Sequence, residues 1–320
     1  MNRKPKMKRY PLKAFLKQFP DDATCLEWLK SNLYPDGIFC DYCKRVTKHH
    51  RVVSRPSYSC DNCGHHVHPT AGTIFHKSPT PLTTWFYAIY LMSATRCGIS
   101  AKQIERETGV TYKTAWRIFK QIRSMLGENT PIGGKGRGVE TDEMFYGGYR
   151  KHGGGRRLRG DRGEELKTPV LGMVERKGRV IARIVPDTRS ASVLPKIREF
   201  VMPKSMIFTD ELRSYEGIPK IRERGYVHRR INHSERVYVM GDVHTNTIEG
   251  FWSLVKRGIS GVYHSVGREY LQSYMNEYSF RYNRRFDTQP MFTSFLKQVR
   301  KNAIQKVQAL KTEQETQVPF

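Results

Sequence analysis

Four of the chain's six cysteines are arranged as Cys40-x2-Cys43 and Cys60-x2-Cys63, with sixteen residues between the pairs. That spacing sets a local fold before any other residue is considered. A Cys-x2-Cys turn points two sulfurs at one ion, and a short hairpin returns the second turn to complete a tetrahedron. Asp36-Gly37 ahead of the first turn and Gly64 after the second suit such tight backbone. Four cysteines could instead form disulfides or a redox pair. However, the basic N-terminus (MNRKPKMKRYPLKAF) has no apolar stretch behind it and does not read as a secretory signal. A zinc ribbon over residues 36–76, with structural Zn2+ held by Cys40, Cys43, Cys60 and Cys63, is the expectation.

Charge narrows the partner. Fifty-six lysines and arginines face 30 aspartates and glutamates in 320 residues, a formal net charge of +26. A surface that positive repels itself unless it works against a polyanion, and nucleic acid is the default. Hydrophobic residues, at 38%, are enough to build real cores, so a mainly disordered chain is excluded. No run approaches the roughly 18 apolar residues of a membrane span. A cytoplasmic, nucleoid-associated location is expected, with no membrane partner.

Periodicity divides the chain. Residues 1–35 read as a basic arm and a short helix opened by Asp21-Asp22. Residues 80–126 read as a helix-turn-helix DNA-binding domain. In it Ser100 caps one helix, Thr108-Gly109-Val110 makes the turn, and a second helix starts at Tyr112. Ile104, Ala115, Ile118 and Ile122 would face inward, leaving Lys113, Arg117, Lys120 and Arg123 for DNA. Residues 127–138 are Gly-rich and read as a linker. From 139 to 290 the period becomes strand-like, then mixed: three strands, a helix, a strand, a short helix, a strand, then helices. That is the element order of a ribonuclease-H-like domain. A Gly/Arg-rich insert at 147–167 carries Arg156, Arg157 and Arg159 as further DNA contacts, and 291–320 reads as a basic C-terminal tail. The fold class expected is thus multidomain, α+β with α/β: a zinc ribbon and helix-turn-helix, then a ribonuclease-H-like mixed sheet with flanking helices.

Two carboxylates in this last region need a reason to be there. Asp142 sits mid-strand and Asp210 ends a second buried strand. Two carboxylates about 4 Å apart repel by about 4 kcal/mol at an effective dielectric of 20, and a divalent cation between them reverses the sign. Hard oxygen ligands suit Mg2+ or Mn2+, and two such ions per site would serve phosphodiester displacement. Glu140 lies on the same strand face as Asp142 and is a rival ligand, whereas Glu143 points to the other face. Asn246, Glu249, Ser253 and Lys256 share one face of a helix beginning near Thr245, and could offer a metal ligand beside a DNA-contacting lysine. Arg257 adds a further basic group.

The segments VETDEMFYGG, MIFTDELRSY, HTNTIEGFWSLVKRGISGVYHSV and EYSFRYNRR resemble the catalytic domain of bacterial insertion-sequence transposases related to the Merlin transposons. The zinc ribbon followed by GISAKQIERETGVTYKTAW resembles that family's N-terminal region, and the likeness covers about residues 20–290. It implies a DDE-type transposase that binds double-stranded DNA at element ends and at a target. Metal-dependent strand cleavage and strand transfer would be carried by Asp142, Asp210 and Glu249, with Lys256 contacting DNA. Asn246 is the alternative third group. Glu249 is preferred because a carboxylate neutralises a cation and an amide does not. By analogy the chain would work as a homodimer or larger assembly.

Overall fold

A computed structural model of the chain describes residues 7–95, 97–147, 167–230 and 245–300. Arg156, Arg157 and Arg159 lie outside the described residues, as does the stretch 301–320. The chain forms two compact units. One runs to Met125 and takes in the chain from Phe286 onward; the other is Leu126–Arg285.

The first unit opens with α1 (Leu12–Gln18) and α2 (Asp22–Leu33). The Asp21 carboxylate accepts from Thr24 N at 2.7 Å, capping α2. Five short strands follow: β1 (Ile38–Cys40) pairs antiparallel with β2 (Arg45–Thr47), and β3 (His49–Val52), β4 (Ser57–Cys60) and β5 (His66–Val67) form a second antiparallel sheet. Next comes α3 (Leu82–Ala94), apolar nearly all round and buried along its length. Its own N-cap, Pro81, offers no side-chain acceptor; Asp22 supplies one, accepting from Leu82 N at 3.1 Å and Thr83 N at 2.8 Å. Then α4 (Ala101–Thr108) and α5 (Tyr112–Ser124) are joined at Gly109, whose φ of +70° suits glycine.

Residues 291–300 correct the expectation of a basic tail: they are helical. Phe292, Phe295, Leu296 and Val299 are buried at the i, i+3, i+4, i+7 spacing of an apolar stripe. Phe292 stacks on Tyr10 at 4.9 Å and meets Phe15 edge-on at 5.6 Å.

The second unit is a mixed sheet between two layers. Its strands are β7 (Gly138–Tyr146), β8 (Thr168–Glu175), β9 (Val180–Ile184), β11 (Met206–Thr209) and β12 (Val227–Arg230), in spatial order β12-β11-β7-β8-β9. β7, β8 and β9 form an antiparallel meander, whereas β11 and β12 run parallel to β7. The expected linker is instead built into this unit. Its strand β6 (Ile132–Gly133) pairs in parallel with β10 (Val201–Met202), and Ser205 Oγ accepts from Gly134 N at 2.8 Å.

Period-two alternation assigns the faces. Val139, Leu171, Met173, Ile181 and Ile207 pack on one side with α6 (Ser190–Phe200) and the 3-10 segment Arg213–Lys220. Met144, Val170, Val174, Val180 and Ala182 pack on the other with α7 (Asn246–Gly258) and α8 (Arg268–Asn283). β8 is buried on both faces, which explains its unbroken apolar run. Tyr274 and Tyr278 of α8 are buried, so these two rings serve packing there.

Gly172 is required where α7 meets the sheet. A Cβ there would come within 2.7 Å of Trp252 Cη2 and 2.8 Å of Ile248 Cδ1. Gly172→Ala is expected to lose about 1–3 kcal/mol of stability by overpacking, read by thermal denaturation. A change below about 0.5 kcal/mol would show that this contact gives way freely.

Candidate active site and metal centre

The two acidic strands meet because one ladder is short. β11 pairs with β7 only from Met206↔Gly138 to Phe208↔Glu140. Past Glu140, β7 continues while β11 ends at Thr209, and Asp210 follows in the gap. Carboxylate oxygens of Asp142, Glu143 and Asp210 all lie within 4.8 Å of one another. Glu143 corrects the expectation that it points away. It does leave β7 on the face opposite Asp142, but at an unpaired strand edge both carboxylates can curl toward the end of β11.

Each acid has a distinct setting. Trp252 Nε1 of α7 donates to Asp142 Oδ2 at 3.0 Å, so this tryptophan is both buried and part of the site. Asp210 Oδ1 accepts from Leu212 N at 3.0 Å, which fixes the turn after β11. Burial, then the charges of Asp210 and Glu249, push the Asp142 carboxyl up to about 6 against the pull of the Trp252 indole and the Glu143 amide. Burial, then the Asp210 and Asp142 charges, push Glu143 up to about 7 against the pull of a hydrogen bond from the Tyr215 hydroxyl. Among the described residues no lysine or arginine forms an ion pair with any of the three. Three uncompensated, half-buried carboxylates make a hard-oxygen donor set that fits a divalent cation.

Glu140, the rival ligand, is committed elsewhere. It is fully buried and accepts from Thr247 N at 2.8 Å, Ile248 N at 3.1 Å and Thr247 Oγ1 at 2.9 Å, while Arg176 Nε donates to it at 2.9 Å. A carboxylate at a helix N-terminus satisfies orphan amides and the helix dipole. Glu140 therefore locks α7 to the strand that carries Asp142.

On α7, Ile248, Phe251, Trp252 and Val255 face the sheet, while Asn246, Glu249, Ser253 and Lys256 form the exposed face, as their spacing predicts. Arg257 is also exposed. Glu249 Oε1 accepts from Thr245 Oγ1 at 3.0 Å. Its charge reaches Asp142, but it is not one of the three acids within 4.8 Å of one another.

A pH experiment tests this electrostatic reading. Asp142 and Glu143 titrate higher in the folded chain than in an unfolded one, where such groups sit near 4. The folded chain holds the extra protons, so their stabilisation is present below about pH 4 and lost as pH rises through 6 to 7. In EDTA, wild type should lose on the order of 2 kcal/mol between pH 5 and 8 relative to an Asp142→Asn/Glu143→Gln variant. Mn2+ should restore stability to wild type alone at pH 8. Parallel stability curves would refute the reading.

In the first unit, Cys40, Cys43, Cys60 and Cys63 converge, all unoxidised, with sulfurs within 4.8 Å of one another. Cys40 Sγ lies 3.5 Å from Cys63 Sγ, and Cys43 Sγ 3.9 Å from Cys60 Sγ. A tetrahedron with Zn–S near 2.3 Å has edges of about 3.8 Å, so Zn2+ fits. The Thr47 hydroxyl, 3.2 Å from Cys60 Sγ, leads the interactions that bring that thiol down to about 6, whereas hydrogen bonding to Cys63 leads those that push Cys43 up to about 12.

The basic residues of α5 separate into two groups. Lys113 and Lys120 are exposed. Arg117 is half-buried, donating to Ser78 Oγ at 3.1 Å and Thr80 Oγ1 at 3.0 Å. Arg123 corrects the expectation of an outward side chain: it is 1% exposed, its guanidinium 3.6 Å from the Phe119 ring centroid.

Residues 133–283 match the ISXO2-like transposase domain. An uncharacterized transposase-like protein of Haemophilus influenzae is 35% identical over 107 residues, 33% of this chain and 83% of its own. The chain belongs to the ISXO2-like transposase family. An uncharacterized protein in transposable element ISH50 of Halobacterium salinarum is 26% identical over 285 residues, spanning 83% of this chain and 92% of its own. The ISXO2-like segment contains Asp142, Glu143, Asp210 and the whole of α7, whereas the cysteine cluster lies ahead of it. Among the described residues of this transposase-family chain, no helix is long and apolar enough to cross a membrane.

Proposed function

We propose that the chain is the DNA transposase of an insertion sequence, binding terminal inverted repeats and catalysing metal-dependent strand cleavage and strand transfer. The observation that carries this reading is the meeting of Asp142 and Asp210 at the end of β11. The sheet order, an antiparallel meander extended by two parallel strands with helices on both faces, supports a ribonuclease-H-like core. The α4–Gly109–α5 pair supports a helix-turn-helix, with Lys113 and Lys120 toward phosphates.

In this reading Asp142 and Asp210 hold the cations, and Glu249 or Asn246 approaches from α7. Two Mg2+ or Mn2+ ions would supply Lewis-acid activation of the attacking oxygen and charge neutralisation at the leaving one. The chain's own work is positional. Glu140 fixes α7, Trp252 orients Asp142, and Lys256 and Arg257 meet the DNA backbone beside the acids. Successive displacements at phosphorus use water and then the freed 3′-hydroxyl, so no covalent enzyme intermediate is required. Joining two ends calls for at least a dimer. Cysteine-bound Zn2+ supports the DNA-binding unit.

The test is an assay with DNA carrying the element's terminal repeats, a target plasmid and Mg2+ or Mn2+. Cleavage at the repeat ends followed by joining is expected. Cleavage of branched DNA without joining would indicate a structure-selective nuclease, and specific binding without cleavage a regulator; either result overturns the proposal.

A further inference from the structure

The first unit contains a cleft of about 680 Å³ that neither the cysteine cluster nor the exposed face of α5 accounts for. One wall is the turn between β3 and β4, with Arg51 and Arg55. The other is the segment from Lys77 to Pro81 that leads into α3, and buried Phe75 and Leu82 back it. Its cations lack partners. Arg51, Arg55 and Lys77 are exposed, and among the described residues none of them forms an ion pair. Asp22, the acid in the walls, is already engaged by Leu82 N and Thr83 N at the start of α3. Asp21, which feels the charge of Arg51, is engaged in capping α2. Three like charges round one opening repel one another until an anion enters.

The neutral groups also call for an acceptor. Ser78 Oγ accepts from Trp85 Nε1 at 3.1 Å, Arg117 Nη2 at 3.1 Å and Thr80 N at 3.2 Å, which fills its lone pairs. Only its proton is left to give. The same bonds pin this wall to α5, because Arg117 donates to Thr80 Oγ1 as well. Arg117 stands about one helical turn from Lys113 on one side and Lys120 on the other, so the three share a face of α5. The cleft therefore runs on from the exposed lysines of that helix.

We infer that this cleft is a second DNA contact, in which Arg51, Arg55 and Lys77 hold duplex phosphodiester backbone continuous with DNA docked on α5. The inference rests on the reading of the chain as a DNA-binding transposase. Phosphodiester backbone suits the lining because it brings acceptor oxygens at regular spacing and neutralises several cations at once. A small-molecule site would be mostly apolar and enclosed, and the chain's net charge of +26 favours a polyanion over a single small anion. Contacts to backbone add affinity and orientation without reading sequence. On this account the zinc ribbon touches DNA with its β3–β4 turn, and Arg117, which the sequence assigned to DNA, instead holds the wall.

The test measures binding of the zinc-loaded full chain to two fluorescein-labelled duplexes, one carrying a terminal repeat and one of arbitrary sequence, over a range of salt. Each lost phosphate contact should flatten the slope of log affinity against log salt by about 0.9. Arg51→Gln, Arg55→Gln and Lys77→Gln together should flatten it by about 2.7 and lower affinity about 10–100-fold at physiological salt, equally for both duplexes. Lys196→Gln, Arg198→Gln and Lys220→Gln remove the same charge from the second unit, and together should change the slope by less than about 0.5. The three cleft side chains are exposed, so zinc content and melting temperature should stay at wild-type values. A benzophenone photo-crosslinker placed at Val53, which is 92% exposed, should attach to DNA. An unchanged slope in the cleft variant, or no crosslink while DNA affinity is kept, would overturn the inference and leave the proposed function standing. Equal flattening by the second-unit variant would overturn it too, because net charge and not the cleft would be at work. Wild-type DNA binding by the cleft variant, with lost binding to polyglutamate, would mark an acidic protein as the occupant and overturn it. Absence of salt-dependent DNA binding by the wild-type chain would overturn both readings.

Discussion

Asp142→Asn and Asp210→Asn should each lower metal-dependent strand cleavage at least about a thousandfold, equivalent to about 4 kcal/mol of transition-state stabilisation. Affinity for DNA should stay within about threefold. The size follows from what each carboxylate does. On the proposed reading it would neutralise a cation that must in turn neutralise charge developing at phosphorus, and an amide of the same shape keeps the hydrogen bonding but not the charge. Asn at position 142 can still accept from Trp252 Nε1, so the fold has no reason to change. Relief of repulsion with Asp210 should even make the metal-free variant slightly more stable at neutral pH. Lost activity combined with equal or greater stability marks a functional site, whereas a folding defect would lower both. Cleavage within tenfold of wild type in either variant would remove the acids from the chemistry.

The second large effect concerns the cysteine cluster. Cys60→Ser should remove bound Zn2+, measured by elemental analysis, and expose the amides of β1–β5 to rapid hydrogen exchange. The strands are only two to four residues long, and their buried apolar side chains are few, chiefly Ile38 and Tyr58. Such a module lacks the core to fold on its own, and metal binding worth about 10–16 kcal/mol would take the core's place. DNA affinity should fall at least about tenfold. Retained amide protection in a zinc-free variant would show that the hairpins stand without metal.

How far the sequence could be read depended on the physics behind each feature. The cysteine spacing predicted the clustered sulfurs because metal geometry is local. Asp142 and Asp210 were legible because a charge in a buried strand demands compensation. Glu143 was misread for an instructive reason: alternation describes where a side chain leaves the strand, not where a three-carbon reach takes its carboxylate once the neighbouring strand has ended. Glu140 showed the right face but not its use, since its partners, Thr247 and Ile248, are more than a hundred residues away. Tyr215 carried no signal of its own in the sequence, because an aromatic in an apolar segment reads as core until its hydroxyl is seen to face acids.

Arg123 follows Phe119 by one helical turn, and the inward set drawn from Ile104, Ala115, Ile118 and Ile122 missed that flank. Residues 291–300 were read by their charge, although the Phe292, Phe295, Leu296, Val299 pattern was present. In both cases positive charge outweighed periodicity, and packing followed periodicity.

The most direct test of the metal-dependent account is anomalous scattering from a crystal of the zinc-loaded chain grown with Mn2+. A manganese peak bonded to carboxylate oxygens of both Asp142 and Asp210 is the predicted result. A fully occupied Mn2+ bound elsewhere, with those two side chains turned apart, would contradict it.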